Sequence, residues 1–124
     1  MDTILLIGLQ EKPEVARQIK RVDRQSALHH CHKIEEAKAI LAQPGISFFV
    51  LNADQDYQEC LAFFCWLMDH GRTRGVLVGD AFDKRLAIDS LNSGLFMNAL
   101  LLPATDDQWI ETIRRFREIN SYNY

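Results

Sequence analysis

The chain has 124 residues, of which 48% are hydrophobic and 25% are charged, a balance typical of one soluble globular domain. Its 14 basic and 17 acidic residues give a formal net charge of −3, so we expect no direct binding to nucleic acid or to a membrane surface. No apolar run approaches the roughly 20 residues of a membrane span, and we expect no signal peptide. The three cysteines form no CxxC pair, which favours a reducing cytoplasm.

Short apolar runs alternate with helical segments, as in βαβ units around a parallel sheet. The predicted strands are Thr3–Gly8, Ala27–Cys31, Ile46–Leu51, Gly75–Val78 and Ala99–Leu102. The predicted helices are about Pro13–Val22, Ile34–Ala42, Tyr57–His70 and Asp83–Asn92, with a last helix opening at Thr105. Because right-handed crossovers connect parallel strands, this alternation predicts a single α/β domain over residues 1–124. Its fold is expected to be a flavodoxin-like, doubly wound, five-stranded parallel sheet of order 2-1-3-4-5, with helices on both faces.

A set of short motifs occurs in a fixed order along these elements. They are Pro13-Glu14-Val15, Ile34-Glu35-Glu36-Ala37, the strand segment Ser47–Asn52, Asp80-Ala81 before a helix, Gly94, and Leu102-Pro103. Taken together from Ile4 to Phe116, they resemble the CheY-like receiver domain of bacterial two-component response regulators. The resemblance implies a signalling domain that is not itself an enzyme and that has no cofactor.

The resemblance also implies where a phosphorylation site would lie. A working receiver has an acidic pair after strand 1 for Mg²⁺, an Asp that ends strand 3 as phosphoacceptor, a Ser or Thr after strand 4 and a Lys after strand 5. In this chain those positions fall on Gly8-Leu9 or Gln10-Glu11, on Asn52, on Asp80 or Gly79, and on Leu102, while the aromatic switch position falls on Ala99.

Each of these positions departs from the receiver pattern. The neutral amide of Asn52 cannot form an acyl phosphate, a carboxylate at Asp80 repels a phosphoryl group, and Leu102 cannot hold one. Glu11 is the single acid that can remain of the metal-binding pair. The resemblance therefore implies a pseudo-receiver, a phosphorylation-independent module that acts by protein–protein contact or as a homodimer. Such a module would be the N-terminal, regulatory part of a longer bacterial (transcriptional) response regulator.

Two alternatives stay open. A conventional receiver would be phosphorylated on Asp54, two residues beyond Asn52, if the third strand ran longer. A ligand sensor would hold a nucleotide or a cyclic dinucleotide at the carboxyl ends of the strands. We expect no metal site: alternate side chains of the His29–His32 run point to opposite faces of a strand, and the acids near the strand ends are interpreted as residual acidity.

Apolar side chains outside the predicted core indicate where a partner would bind. The core stripe of the third helix is predicted to be Tyr57, Leu61, Phe64 and Met68. Phe63 and Trp66 fall outside that stripe, and Ile88 on the fourth helix lies opposite its predicted core side. Phe96 and Met97 precede the predicted fifth strand. We expect these five residues to be exposed and to contact a protein partner or a second copy of the chain.

Overall fold

Strands and helices alternate strictly along the computed structural model, which describes residues 2–54, 56–70, 73–80, 84–92, 94 and 96–122. The strands are β1 (Thr3–Ile7), β2 (Ala27–Cys31), β3 (Phe48–Asn52), β4 (Gly75–Gly79) and β5 (Phe96–Leu101). The helices are α1 (Pro13–Val22), α2 (Ile34–Leu41), α3 (Tyr57–His70), α4 (Lys84–Asn92) and α5 (Asp106–Tyr122). Within these described ranges, no helix is long and apolar enough to cross a membrane.

All five strands form one parallel sheet in the order β2-β1-β3-β4-β5, which confirms the predicted fold class. The central strands β1, β3 and β4 are buried along nearly their whole length, because helices cover both faces of the sheet. The edge strand β2 is wetter: His29 and His30 are exposed there. Because the strands are parallel, all their carboxyl ends meet at one edge of the sheet.

The sheet separates two apolar cores. On one face, Trp109, Ile113 and Phe116 of α5 pack with α1 against the strands, and Phe116 stacks on Phe48 with ring centroids 4.1 Å apart. On the other face, Phe49 meets the edges of Phe63 at 5.9 Å and of Phe96 at 5.5 Å. These cores explain the uniformly apolar sequences of β1 and β3.

The predicted core stripe of α3 was correct for Phe64, and Leu61 packs against the same core, but the prediction was wrong for Tyr57 and Met68. The buried residues of α3 are Cys60, Phe63, Phe64 and Leu67, whereas Tyr57 is 39% exposed and Met68 is 70% exposed. The helix is apolar almost all round, so its periodicity allowed more than one core stripe. The structure selects the stripe that places Phe63 against Phe49.

The predicted exposure of the partner-binding candidates was correct only for Ile88, which is 56% exposed. Phe63 is fully buried and Phe96 is 3% exposed, since both rings complete the aromatic cluster around Phe49. Trp66 is half-buried against the same core, and Met97 is half-buried against the opposite one.

The bounds of β3 and β5 differ most from the prediction, while β1 and β4 each differ by one residue at the end. β3 begins at Phe48 instead of Ile46 and extends to Asn52. β5 begins at Phe96, three residues before the predicted start at Ala99, and its pairing with β4 shifts register between Gly75 and Val76. The predicted first residue of the fourth helix, Asp83, lies outside the described residues.

Candidate functional site

The candidate site lies at the carboxyl edge of the sheet, where open α/β sheets bind ligands. Gly8 follows β1, Asn52 ends β3, Asp80 follows β4 and Leu102 follows β5. Hydrogen bonds connect Asn52 to Asp54 and Asp54 to Asp80.

Asn52 uses both ends of its amide to join two loops. Its Nδ2 donates to the carbonyl oxygen of Gly8 at 2.9 Å, and its Oδ1 accepts from the backbone N–H of Asp54 at 3.0 Å. Gly8 is buried and has a φ of 70°, a conformation that favours glycine. The Nδ2 donor is what distinguishes this amide from an ionised Asp, which can only accept.

Asp54 and Asp80 are linked directly, although both are acids. The backbone N–H of Asp80 donates to Oδ2 of Asp54 at 2.6 Å. Their side chains differ in accessibility, since that of Asp54 is 24% exposed and that of Asp80 is 67% exposed. A cation near two carboxylates reduces their mutual repulsion.

Lys12 supplies that charge from the loop between β1 and α1. Its Nζ lies 2.6 Å from Oδ2 of Asp80 and 3.5 Å from Oδ2 of Asp54. The lysine side chain is only 15% exposed. The hydrogen bond to Asp80 raises the pKa of Lys12 above its ordinary value, and this effect outweighs the opposing desolvation. The ammonium therefore stays charged between the two carboxylates.

Sequence reasoning missed Lys12. The residue lies between Glu11 and Pro13 in a loop that carried no recognisable motif. Its reach from the end of β1, past β3, to the end of β4 depends on the order of the strands in space. The available signal was a basic residue in the loop after β1, near acids that the predicted fold gathers at the same edge.

The other predicted site residues lie apart from this ion group. Glu11 is exposed, and no ion pair among the described residues includes it. Leu102 is half-buried against the α1–α5 core, and its N–H donates to the carbonyl oxygen of Gly79 at 2.9 Å. Ala99 packs against the opposite core. Within the described part of the chain, no three His, Cys, Asp or Glu side chains are grouped so as to hold a metal ion.

A second feature is the apolar surface of α4 and β5, two elements that pack side by side. Ile88 and Leu91 on α4 are 56% and 41% exposed, and Leu101 on β5 is 60% exposed. The other exposed large apolar side chains of the described residues are Tyr57 and Met68 on α3 and Ile110 on α5. We refer to Ile88, Leu91 and Leu101 as the α4–β5 surface.

Comparison with known proteins gives structural matches only. No protein-family model matches the chain, and a search of curated protein sequences finds no match. The signal receiver domain of an HD domain-containing protein from Pseudomonas fluorescens Pf-5 is similar over 98% of each chain, with a TM-score of 0.78 and 18% identity.

Two further structures are similar at comparable levels. A response regulator from Thermotoga maritima has a TM-score of 0.74 and 14% identity, over 94% of this chain and 97% of the other. A putative pilus assembly-related protein from Burkholderia pseudomallei K96243 has a TM-score of 0.74 and 15% identity, over 94% of this chain and 89% of the other. Identities this low carry the fold and no more. The chain has the fold of response-regulator receiver domains.

Proposed function

We propose that this chain is a receiver-like signalling domain that works without phosphorylation, through contact with another protein, and that it is not an enzyme. The observation that carries the proposal is the position and bonding of Asn52. It ends β3, where a receiver has its phosphoacceptor, and its amide is tied to Gly8 and to the Asp54 backbone. A neutral amide in this position has no carboxylate oxygen with which to attack phosphorus.

The surroundings of Asn52 support the same conclusion. Phosphoryl transfer to a carboxylate depends on cations that neutralise the charge of the phosphoryl oxygens. Here the nearby cation, Lys12, is already paired with Asp80 and Asp54. Asp80 adds negative charge where a receiver has a hydroxyl group, and Leu102 adds no charge.

A conventional receiver phosphorylated on Asp54 is the second candidate, because Lys12 Nζ lies 3.5 Å from its carboxylate. Two features weigh against it. Asp54 lies two residues beyond the end of β3, and its Oδ2 already accepts the hydrogen bond from the Asp80 backbone.

One experiment separates the two candidates. The protein and its Asp54→Asn variant are incubated with acetyl phosphate and Mg²⁺, alongside an active receiver domain as positive control, and intact masses are measured. We expect neither the protein nor the variant to gain a phosphoryl group. A stoichiometric gain in the protein that disappears in Asp54→Asn would replace the proposal with the conventional receiver.

We further propose that the partner binds the α4–β5 surface and that a second copy of the chain is one such partner. Its support is the exposure of Leu101 and Ile88 on neighbouring elements. Burying one such side chain contributes about 1.5–3 kcal/mol, so its removal should weaken a dimer roughly tenfold or more in Kd.

Sedimentation equilibrium tests the self-association with a matched pair of variants. Leu101→Ser removes an apolar side chain from the α4–β5 surface, whereas Ile110→Ser removes one that borders the groove between α1 and α5. We expect association that Leu101→Ser weakens and Ile110→Ser leaves unchanged, with circular dichroism to verify folding. A protein that stays monomeric at high concentration would rule out self-association.

The wider context of the domain is also a proposal. A cytoplasmic regulator, transcriptional or otherwise, would carry this domain as its N-terminal module. Similar structures include proteins described as response regulators and one described as pilus assembly-related, so the fold alone does not assign the output. The net charge of −3 favours a protein partner over nucleic acid.

A further inference from the structure

Lys12 is held in a fixed position at the start of α1. Its backbone N–H donates to the carbonyl oxygen of Leu9 at 3.0 Å, and its carbonyl oxygen accepts from the N–H of Val15 at 3.1 Å. It is the residue that caps α1, with Pro13 as the first helical residue. Because its N–H and its carbonyl oxygen are both hydrogen-bonded, the backbone of Lys12 is held in place. Its side chain extends from there towards the end of β4.

The side chain connects loops that the sheet keeps apart. Lys12 follows β1, Asp54 follows β3 and Asp80 follows β4, so one ammonium group spans three neighbouring strands. An exposed ion pair contributes little to stability, and the contact with Asp80, whose side chain is 67% exposed, is of that kind. The Lys12 and Asp54 side chains are more shielded, at 15% and 24% exposed. The hydrogen bond from the Asp80 backbone to Asp54 holds these two acids close together, and the Lys12 ammonium lies within 3.5 Å of both carboxylates.

We propose that Lys12 is a resident cation: its ammonium occupies the position between Asp54 and Asp80 that a divalent ion would otherwise take, and it clamps the β1–α1 loop to the residues after β4. Part of the negative charge of the two acids is thus balanced from within the chain. Asp80, which directly follows β4, is held next to Lys12 independently of any metal. This inference stands apart from the proposed function, because its test uses unphosphorylated protein and measures stability.

A position held by Lys12 and a position open to a divalent ion predict different responses to Mg²⁺. An ammonium between the two carboxylates repels a divalent cation by its charge. When the ammonium is removed, the two carboxylates regain an affinity for a hard divalent cation, for which oxygen ligands are suited. The effect of Mg²⁺ on thermal unfolding therefore reports whether Lys12 occupies the position.

The experiment compares Lys12→Met, which keeps the length of the side chain, with Lys33→Met. Lys33 is an exposed lysine in no ion pair among the described residues, so its variant loses the same formal charge elsewhere. Thermal unfolding is followed with and without millimolar Mg²⁺. We expect the unmodified protein and Lys33→Met to be insensitive to Mg²⁺. We expect Lys12→Met to melt several degrees lower without Mg²⁺ and to recover with it.

A second background makes the assignment specific. The loss caused by Lys12→Met should be smaller when Asp80 is already Asn, because the nearer of the two carboxylates that the ammonium faces is then absent. Lys12→Arg should behave like the unmodified protein. A Lys12→Met variant that Mg²⁺ does not stabilise, or an unmodified protein that Mg²⁺ stabilises equally, would overturn the proposal.

Discussion

Replacing Asn52 by Asp, the residue type of a phosphoacceptor, is expected to destabilise the domain. The Nδ2 donor to Gly8 would be exchanged for an ionised oxygen that faces the carbonyl oxygen of Gly8 from about the same distance. Because Gly8 is buried, its carbonyl oxygen would lose this bond and meet a second acceptor instead. The hydrogen bond from the Asp54 backbone would be kept.

The size of the effect follows from the unsatisfied group. Leaving a buried acceptor without its partner costs about 1–3 kcal/mol. A chain of 124 residues has an entropy of unfolding of roughly 0.26 kcal/mol/K, so each kcal/mol shifts Tm by about 4 °C. Asn52→Asp should therefore lower Tm by about 4–12 °C at neutral pH.

The pH dependence gives the sharper test. Gly8, together with the acids Asp54 and Asp80, disfavours the ionised form of the introduced carboxyl, so its pKa in the folded state is raised above the unfolded value of about 3.9. Its destabilising effect is full above the folded pKa. The effect fades as the pH falls towards the unfolded value, because a protonated carboxyl can donate to Gly8.

The assay is thermal unfolding of the protein, Asn52→Asp and Asn52→Ala in parallel from neutral to acidic pH. The alanine variant lacks both side-chain hydrogen bonds at every pH, so its deficit should stay constant. An Asn52→Asp variant as stable as the unmodified protein, or with a deficit that does not narrow in acid, would refute the role given to the Gly8 bond.

Two further predictions concern the scaffold. A methyl group at Gly75 would lie 2.2 Å from Cε2 of Phe49, so Gly75→Ala should lower the free energy of unfolding by about 1–3 kcal/mol in chemical denaturation. In a Phe49→Leu background most of that loss should disappear. An equal loss in both backgrounds would contradict the clash. Arg117 donates to the 8%-exposed Asp23 at 2.7 Å, and, although burial opposes ionisation, this bond and one from Ser26 lower the pKa of Asp23. A carboxyl whose pKa is lowered by folding stabilises the folded state above its unfolded pKa, and this stabilisation is lost in acid. Arg117→Met should therefore lower Tm by several degrees at neutral pH, and the difference in Tm should narrow below pH 3.8. A difference in Tm that persists in acid would contradict this.

The sequence was sufficient to predict the fold because its strongest signals are also its structural determinants. The apolar runs of β1 and β3 are uniform because helices cover both faces of those strands. Pro13 begins α1, and Thr105 caps α5 through the reciprocal bonds between Thr105 and Gln108. Each of these signals acts within a few residues, which makes it readable from one sequence.

The errors arose where tertiary packing chose between locally equivalent patterns. Along α3 apolar residues occur on every side, and contact with Phe49 decided that Phe63 is buried. The start of β5 was missed because Asn98 interrupts the apolar pattern. In the structure Asn98 faces the buried Thr112 of α5, 3.4 Å away, which accommodates a polar side chain inside the strand.

In the candidate site, too, the residues with a local sequence signal could be predicted and those that depend on tertiary packing could not. Asn52 and Asp80 could be placed from the sequence because each directly follows or ends an apolar run. The ion group around Lys12 could not, because it joins residues separated by 42 and 68 positions in the sequence, and nothing local specifies which cation meets which acid. Only the order of strands in the sheet brings them together.

Amide NMR spectra recorded with and without beryllofluoride and Mg²⁺ test the central claim most directly, because beryllofluoride mimics a phosphoryl group on a carboxylate oxygen. If Asn52 cannot accept a phosphoryl group and the Lys12 ammonium stays between Asp54 and Asp80, the two spectra should superimpose. This includes the signal of the Asp80 amide, which is bonded to Asp54. Stoichiometric shifts at Asp54 and Asp80 that spread into α4 would instead demonstrate a phosphoryl-responsive receiver.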